Sequence, residues 1–113
     1  MFSVLYVDDE HDLLDLTRLY LEESGLFLVD TSDSVAGAQQ YLNRQRYDAI
    51  IADYQMPGMD GIAFLKFIRE HFGNVPFILF TGKGREEVVI EAINNGADYY
   101  LQKGGDPDSL FAE

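Results

Sequence analysis

Two groups of acidic residues in this sequence have the types and positions needed to bind a hard cation and to supply a nucleophile. Asp8, Asp9 and Glu10 follow one apolar run, and Asp53 follows another. Two carboxylates about 4 Å apart repel each other by roughly 4 kcal/mol at a near-surface effective dielectric, so a convergent set needs a compensating positive charge. A divalent cation such as Mg²⁺ suits an all-oxygen site. A carboxylate beside that cation could then accept a phosphoryl group as an aspartyl phosphate.

A hydroxyl and an ammonium group follow two further apolar runs. Thr81 comes after the fourth run and Lys103 after the fifth, and both groups could contact a phosphoryl oxygen. Taken singly, such residues have ordinary structural interpretations: an aspartate after a strand often caps a helix or forms a turn, and a lysine there is usually solvated. Their joint occurrence at four strand ends, in matching order, favours a functional site.

The elements that would position these residues alternate along the chain. Apolar runs predict strands at 2–7, 27–31, 49–52, 77–80 and 99–101. Apolar residues at helical spacing predict helices over 12–24, from a cap at Ser32 or Ser34 to about 46, from 61 to 71, over 85–95, and from 107 onward. Such alternation predicts a parallel sheet covered on both faces. In such sheets, sites lie at the carboxyl ends of the strands.

Several local features refine this prediction. Gly25 is expected to end the first helix, in which Leu13, Leu16, Leu19 and Tyr20 recur at helical spacing. In the later helices the residues expected to face inward are Val35, Ala38, Tyr41 and Leu42, then Phe64, Leu65 and Ile68, then Val88, Val89, Ala92 and Ile93. His11 and His71 are expected at the surface. Glu10 is interpreted as an accessory residue, or as a charge at a helix start, rather than as a direct ligand.

Composition limits the classes of function. The chain has 113 residues, enough for one domain, and a formal net charge of −12, which argues against direct binding of nucleic acid or anionic membranes. The absence of cysteine excludes disulfides, thiolate metal sites and cysteine nucleophiles. No apolar run could span a bilayer, and residues 1–10 do not resemble a signal peptide, so a cytoplasmic location is expected.

With these residues in place, the sequence resembles the response-regulator receiver family of two-component signalling, of the chemotaxis-regulator type. The resemblance covers essentially the whole chain. It rests on Val7-Asp8-Asp9-Glu10, on Asp53 followed by Met56-Pro57-Gly58-Met59-Asp60-Gly61, on Thr81-Gly82, and on Lys103 at the matching spacing. It implies a flavodoxin-like fold with strand order 2-1-3-4-5 in three αβα layers. One receiver domain would then occupy residues 1–113, with its last helix cut short.

The resemblance also implies a chemistry. Asp53 is expected to accept a phosphoryl group from a phosphohistidine of a histidine kinase or phosphotransfer protein. Mg²⁺, or Mn²⁺, would be held by the side chains of Asp8, Asp9 and Asp53 and by the backbone carbonyl of Gln55, with Asp8 acting partly through water. Lys103 and the cation would counter charge on the phosphoryl oxygens. Such a domain is a switch rather than a classical enzyme, although receivers catalyse their own phosphotransfer and dephosphorylation.

Further residues are implied to transmit and time the signal. Thr81 and Tyr100 match the switch positions, and the surface of the fourth helix and fifth strand would control an output domain or protein, or a phosphorylation-linked homodimer. Gln55 and Lys83 match the positions that tune the lifetime of the aspartyl phosphate. The sequence departs from the family after Lys103, where Gly104-Gly105 replaces the usual proline, so the placement of Lys103 is the least defined feature.

Three alternatives remain open. A receiver fold could serve as a phosphorylation-independent interaction module, although such modules usually lose the acidic pair, the acceptor or the lysine. A metal-dependent phosphatase would have an Asp-x-Asp motif after the first strand, where this chain has Asp8-Asp9-Glu10. A flavin-binding protein would need a Ser/Thr/Gly-rich phosphate loop there, and the three carboxylates would repel that phosphate.

Overall fold

The computed structural model describes residues 1–56, 58–82 and 86–102, and these residues form five strands and four helices in strict alternation. The elements are β1 (Phe2–Val7), α1 (His11–Glu23), β2 (Phe27–Ser32), α2 (Val35–Arg44), β3 (Ala49–Asp53), α3 (Gly61–His71), β4 (Phe77–Thr81), α4 (Glu86–Asn94) and β5 (Tyr99–Gln102). The strands form one parallel sheet in the order β2-β1-β3-β4-β5. The predicted α/β fold and strand order are confirmed.

Most element boundaries lie within a residue or two of the predicted ones. β3 and β4 each extend one residue further, so that Asp53 and Thr81 are the last residues of their strands. α2 ends at Arg44 instead of near residue 46, because Gln45 adopts extended backbone and its side-chain amide donates to Asp30. The predicted helix from residue 107 lies outside the described residues.

Side-chain and glycine caps define the helix ends. The hydroxyl of Ser34 accepts a hydrogen bond from the amide of Gly37 at 3.1 Å, so that Ser34, rather than Ser32, is the cap of α2. Asp60 caps α3 in the same way, accepting from the amide of Ala63 at 2.8 Å. Gly25 follows α1 with a φ of +77°, a conformation that favours glycine, as the sequence predicted.

The sheet separates two apolar cores. Alternate residues of β1 contribute to each: Leu5 and Val7 pack on the side of α2, α3 and α4, whereas Val4 and Tyr6 pack on the side of α1. The core on the α1 side also contains residues from β2, β3 and β4, namely Val29, Ile51 and Phe80. The faces of β1 and β3 that carry Tyr6 and Ile51 therefore continue toward Asp8 and Asp53, two residues further along.

Two helices bury a narrower face than their apolar spacing predicted. In α1 the buried residues are Leu14 and Thr17, whereas Leu16 and Leu19 are exposed. Leu16 lies roughly 200° around the helix axis from Leu14, so the single stripe that faces the sheet cannot include both. In α4, Ile93 was expected to face inward and is 47% exposed. The inward faces predicted for α2 and α3 are confirmed.

Arg69 stabilises the edge of the sheet at which the strands begin, opposite their carboxyl ends. Its guanidinium donates to the carbonyls of Gly73, Val75 and Gly96 and to the carboxylate of Asp98. The same Asp98 oxygen accepts from the amide of Phe77 at 2.9 Å. These bonds tie the end of α3 to the starts of β4 and β5.

Within the described ranges no helix is both long and apolar enough to cross a membrane.

Gly61 allows α3 to begin in direct contact with the backbone at the end of β3. Its amide donates to the carbonyl of Tyr54 at 2.8 Å. A Cβ at position 61 would lie 2.6 Å from the carbonyl oxygen of Asp53 and 2.9 Å from the Cα of Tyr54. Both neighbours are backbone atoms, so neither can move without displacing the end of β3. At Gly82, by contrast, an added Cβ would meet nothing within 4 Å.

We therefore expect Gly61→Ala to lower the free energy of unfolding by about 1–3 kcal/mol, the usual cost of forcing extra atoms into a packed region. Urea denaturation of the chain measures this change. Gly82→Ala is the matched control, and its free energy of unfolding should stay within about 0.5 kcal/mol of that of the parent chain. Equal effects of the two substitutions would contradict the proposed backbone contact.

Candidate functional site

Asp8 and Asp53 lie side by side at the carboxyl edge of the sheet. β1 and β3 are neighbouring parallel strands, and their register pairs Val7 with Ala52, the residues just before the two aspartates. Both aspartates are buried, with exposed fractions of 0% for Asp8 and 4% for Asp53. The carboxyl ends of two central strands thus bring two buried acids together, as the sequence led us to expect.

Glu10 completes a group of three carboxylates with Asp8 and Asp53. Each residue offers one oxygen, and these oxygens all lie within 4.8 Å of one another. At that separation each pair of charges repels by about 3–4 kcal/mol at an effective dielectric near 20. Carboxylate oxygens are hard ligands, so this donor set fits Mg²⁺ or Mn²⁺. We refer to Asp8, Glu10 and Asp53 as the acidic group.

Glu10 joins the acidic group, whereas Asp9 does not. Glu10 is the N-cap residue of α1, with extended backbone, but its side chain makes no capping hydrogen bond. The chain bends at Asp9, between the end of β1 and the start of α1. Asp9 is exposed. The sequence favoured Asp9 as a cation ligand and gave Glu10 only an accessory role.

Tyr6 also contacts the acidic group, a role that its place in an apolar strand did not predict. Its hydroxyl donates a hydrogen bond to Oδ2 of Asp8 at 2.7 Å. Burial, followed by the negative charge of Asp8, raises the pKa of the Tyr6 hydroxyl far above its usual value. The hydroxyl therefore stays protonated and acts as a donor. The sequence feature that could have indicated this contact is a tyrosine two residues before an aspartate, on the same face of a strand.

The predicted switch residues occupy β4 and β5. Thr81, the last residue of β4, is fully buried, and its hydroxyl donates to the carbonyl of Gly82 at 3.4 Å. Tyr100 is 40% exposed and stacks on Tyr99, with ring centroids 6.0 Å apart. Tyr100 pairs with Leu79, which belongs to the core on the α4 side of the sheet.

The remaining predicted site residues are placed only in part. Gln55 is exposed, two residues after Asp53. Lys83 and Lys103 lie outside the described residues. Both predicted surface histidines, His11 and His71, are exposed and lie outside the acidic group.

Comparison with known proteins identifies the family. The family model described as the response regulator receiver domain matches residues 4–113. Response regulator Rre1 of Synechocystis is 36% identical over 97% of the chain, and the phosphate regulon transcriptional regulatory protein PhoB of Escherichia coli is 31% identical over 96%. The chain spans 48% of the length of each of these two relatives. The structure of the Francisella response regulator 1452 receiver domain superposes with a TM-score of 0.88, at 30% identity, covering 99% of this chain and 92% of that one.

A cation bound to the acidic group should stabilise the fold, because it binds the folded chain and relieves the repulsion between carboxylates. We expect Mg²⁺ at ten times its dissociation constant to raise the free energy of unfolding of the parent chain by about 1.4 kcal/mol. Asp8→Asn should lose most of that increase. Urea denaturation with and without Mg²⁺ measures both.

Asp15→Asn is the matched control for this prediction, since it removes one negative charge from an exposed position of α1 outside the acidic group. It should keep the full stabilisation by Mg²⁺. Equal stabilisation of the Asp8 and Asp15 variants would mean that Mg²⁺ acts by general screening rather than at the acidic group.

Proposed function

Because this chain belongs to the response regulator receiver family, we propose that it is a phosphorylation-dependent signalling switch with Asp53 as its phosphoacceptor. Receiver domains of this family are signalling switches rather than classical enzymes. The observation that carries the assignment of Asp53 is its position in the acidic group, as a buried carboxylate at the end of a central strand. That position gives the carboxylate two further acids with which to share a cation.

The proposed reaction transfers a phosphoryl group from a phosphohistidine of a histidine kinase or phosphotransfer protein. A carboxylate oxygen of Asp53 attacks phosphorus, the new P–O bond forms as the P–N bond breaks, and the departing imidazole takes up a proton. The ammonium of Lys103 is proposed to counter the charge on the phosphoryl oxygens.

Asp8, Asp9 and Asp53, with the backbone carbonyl of Gln55, are the proposed ligands of Mg²⁺ or Mn²⁺, Asp8 acting partly through water. Once bound, the cation would supply positive charge to the phosphoryl oxygens. Asp9 lies outside the acidic group but is exposed, and exposed side chains change rotamer readily. Its carboxylate can therefore turn toward a cation. Glu10 is the alternative ligand, and a structure with the cation bound would distinguish the two.

Phosphorylation adds a charge of about −1.5 to −2 at the end of β3, next to β4. We propose that Thr81 hydrogen-bonds the phosphoryl group and that Tyr100, half-exposed on the α4 side of the sheet, turns inward in response. The surface of α4 and β5 already exposes apolar side chains, including Ile90 and Ile93. This surface is the proposed contact for an output domain or protein, or for a second copy of the chain.

The part that this domain plays in a larger protein is also a proposal, since the chain spans about half the length of the curated relatives it matches. We propose that residues 1–113 form one receiver domain that acts in the cytoplasm beside its phosphodonor. The net charge of −12 disfavours direct contact with nucleic acid or anionic membranes through this domain. Any effect on such partners would pass through the output.

Incubation with a small acyl phosphate and Mg²⁺ should add one phosphoryl group to the chain, because the domain supplies the acceptor and the catalytic charges itself. Intact-mass spectrometry detects the adduct, and peptide mapping should locate it at Asp53. Asp53→Asn should carry no adduct, and chelation of the cation should abolish labelling of the parent chain. In the labelled sample, amide exchange in 86–102 should change, as the proposed effect on α4 and β5 requires.

Asp48→Asn is a suitable control, because Asp48 is an exposed acid at the opposite edge of the sheet that accepts from the amide of Ser3. It should be labelled like the parent chain. Removing the acyl phosphate and following the loss of the label over time measures the lifetime of the aspartyl phosphate. Gln55→Ala and Lys83→Ala should alter that lifetime. Labelling that persists in Asp53→Asn would contradict the assignment, and a parent chain that takes no label would favour a phosphorylation-independent interaction module.

A further inference from the structure

Tyr6 places a hydrogen-bond donor next to Asp8, on the α1 side of the sheet. The ring lies in the core on the α1 side, fully buried, and packs edge-to-face against Phe80 with ring centroids 5.5 Å apart. Residues two apart on a strand share a face, so the hydroxyl at the tip of the ring reaches the carboxylate of Asp8, at 2.7 Å. The packing of the ring thus determines where the hydroxyl points.

A second donor holds the other oxygen of the same carboxylate. The backbone amide of Glu10 donates to Oδ1 of Asp8 at 3.0 Å, while Tyr6 donates to Oδ2. Two donors from different directions determine the plane of the carboxylate group. A hydrogen bond to an ionised acceptor is roughly twice as strong as one between neutral groups, enough to hold one orientation in a buried setting. Asp8 is therefore pre-oriented toward Glu10 and Asp53.

We propose that Tyr6 is a positioning residue for the cation site: its hydroxyl orients the Asp8 carboxylate and offsets part of its charge, so that the acidic group is preassembled for a divalent cation. This inference rests on the proposed function of the same site. Tyr6 touches neither the cation nor the phosphoryl group and acts only through Asp8. Groups that hydrogen-bond metal ligands typically change metal affinity by about 10- to 100-fold when they are removed.

The direct test is a Mg²⁺ titration of Tyr6→Phe, followed by the NMR shifts of backbone amides at the strand ends. The substitution keeps the ring and its contact with Phe80 and removes only the hydroxyl. We expect a dissociation constant for Mg²⁺ about tenfold higher than that of the parent chain. A Tyr6→Phe variant that binds Mg²⁺ like the parent chain overturns the inference and leaves the proposed function intact.

Tyr47→Phe is a closely matched control. Tyr47 is also buried, and its hydroxyl donates to a carboxylate, Oδ2 of Asp30, at 2.6 Å. Asp30 lies outside the acidic group. Loss of the Tyr47 hydroxyl should therefore reduce stability, as loss of the Tyr6 hydroxyl should, but leave Mg²⁺ affinity unchanged. An equal loss of affinity in both variants overturns the inference, because it would trace the effect to general destabilisation.

A double-mutant cycle with Asp8→Asn separates positioning from folding. If Tyr6 acts through Asp8, Tyr6→Phe should change Mg²⁺ affinity little once Asp8 is neutral. The same tenfold loss in the Asp8→Asn background would overturn the inference. The failure of the proposed function has a different signature: a parent chain that neither binds Mg²⁺ nor accepts a phosphoryl group from an acyl phosphate.

A measurement on the unaltered chain covers the case in which Tyr6→Phe does not fold. The Tyr6 hydroxyl proton, buried and hydrogen-bonded, should exchange slowly enough to give its own NMR resonance. We expect Mg²⁺ to shift this resonance, since the cation draws charge from Asp8, and to leave the Tyr47 hydroxyl proton unshifted. A Tyr6 resonance that does not respond to saturating Mg²⁺ overturns the inference.

Discussion

The mutual repulsion of three carboxylates within 4.8 Å of one another is the constraint on which the described site depends. Two of them, Asp8 and Asp53, are buried, where their charges are poorly screened by water. The fold brings them together because adjacent parallel strands end at the same edge of the sheet. Their proximity raises the electrostatic energy of the folded chain, and a bound divalent cation would lower it. The same cation would offset the negative charge that phosphorylation adds.

The surrounding structure holds the acids in place despite that repulsion. Tyr6 and the amide of Glu10 donate to the two oxygens of Asp8. Behind Asp53, Gly61 lets α3 start against the strand backbone, where any side chain would collide with the Asp53 carbonyl. At the far edge Arg69 ties the end of α3 to the starts of β4 and β5. The carboxyl edge can thus change its charge while the opposite edge stays anchored.

The sequence predicted the fold well because each apolar run and each helix cap carries its own local signal, as Ser34 and Gly25 illustrate. It also predicted that Asp8 and Asp53 lie at the ends of neighbouring strands. It did not predict that Glu10 rather than Asp9 joins them, since this depends on how the chain turns between β1 and α1. The role of Tyr6 was missed because an aromatic residue in an apolar strand is usually a core residue, although its position two residues before Asp8 puts both side chains on one face.

The most direct test of the central claim is a crystal structure of the chain with Mn²⁺, located by its anomalous scattering, and beryllofluoride as a phosphoryl mimic. We expect the cation at the acidic edge of β1 and β3, in contact with Asp53 and Asp9, and the beryllium bonded to a carboxylate oxygen of Asp53. A cation held by Glu10 while Asp9 stays in solvent would reassign that ligand. Beryllofluoride bound elsewhere, or no cation at this edge at saturating concentration, would contradict the account.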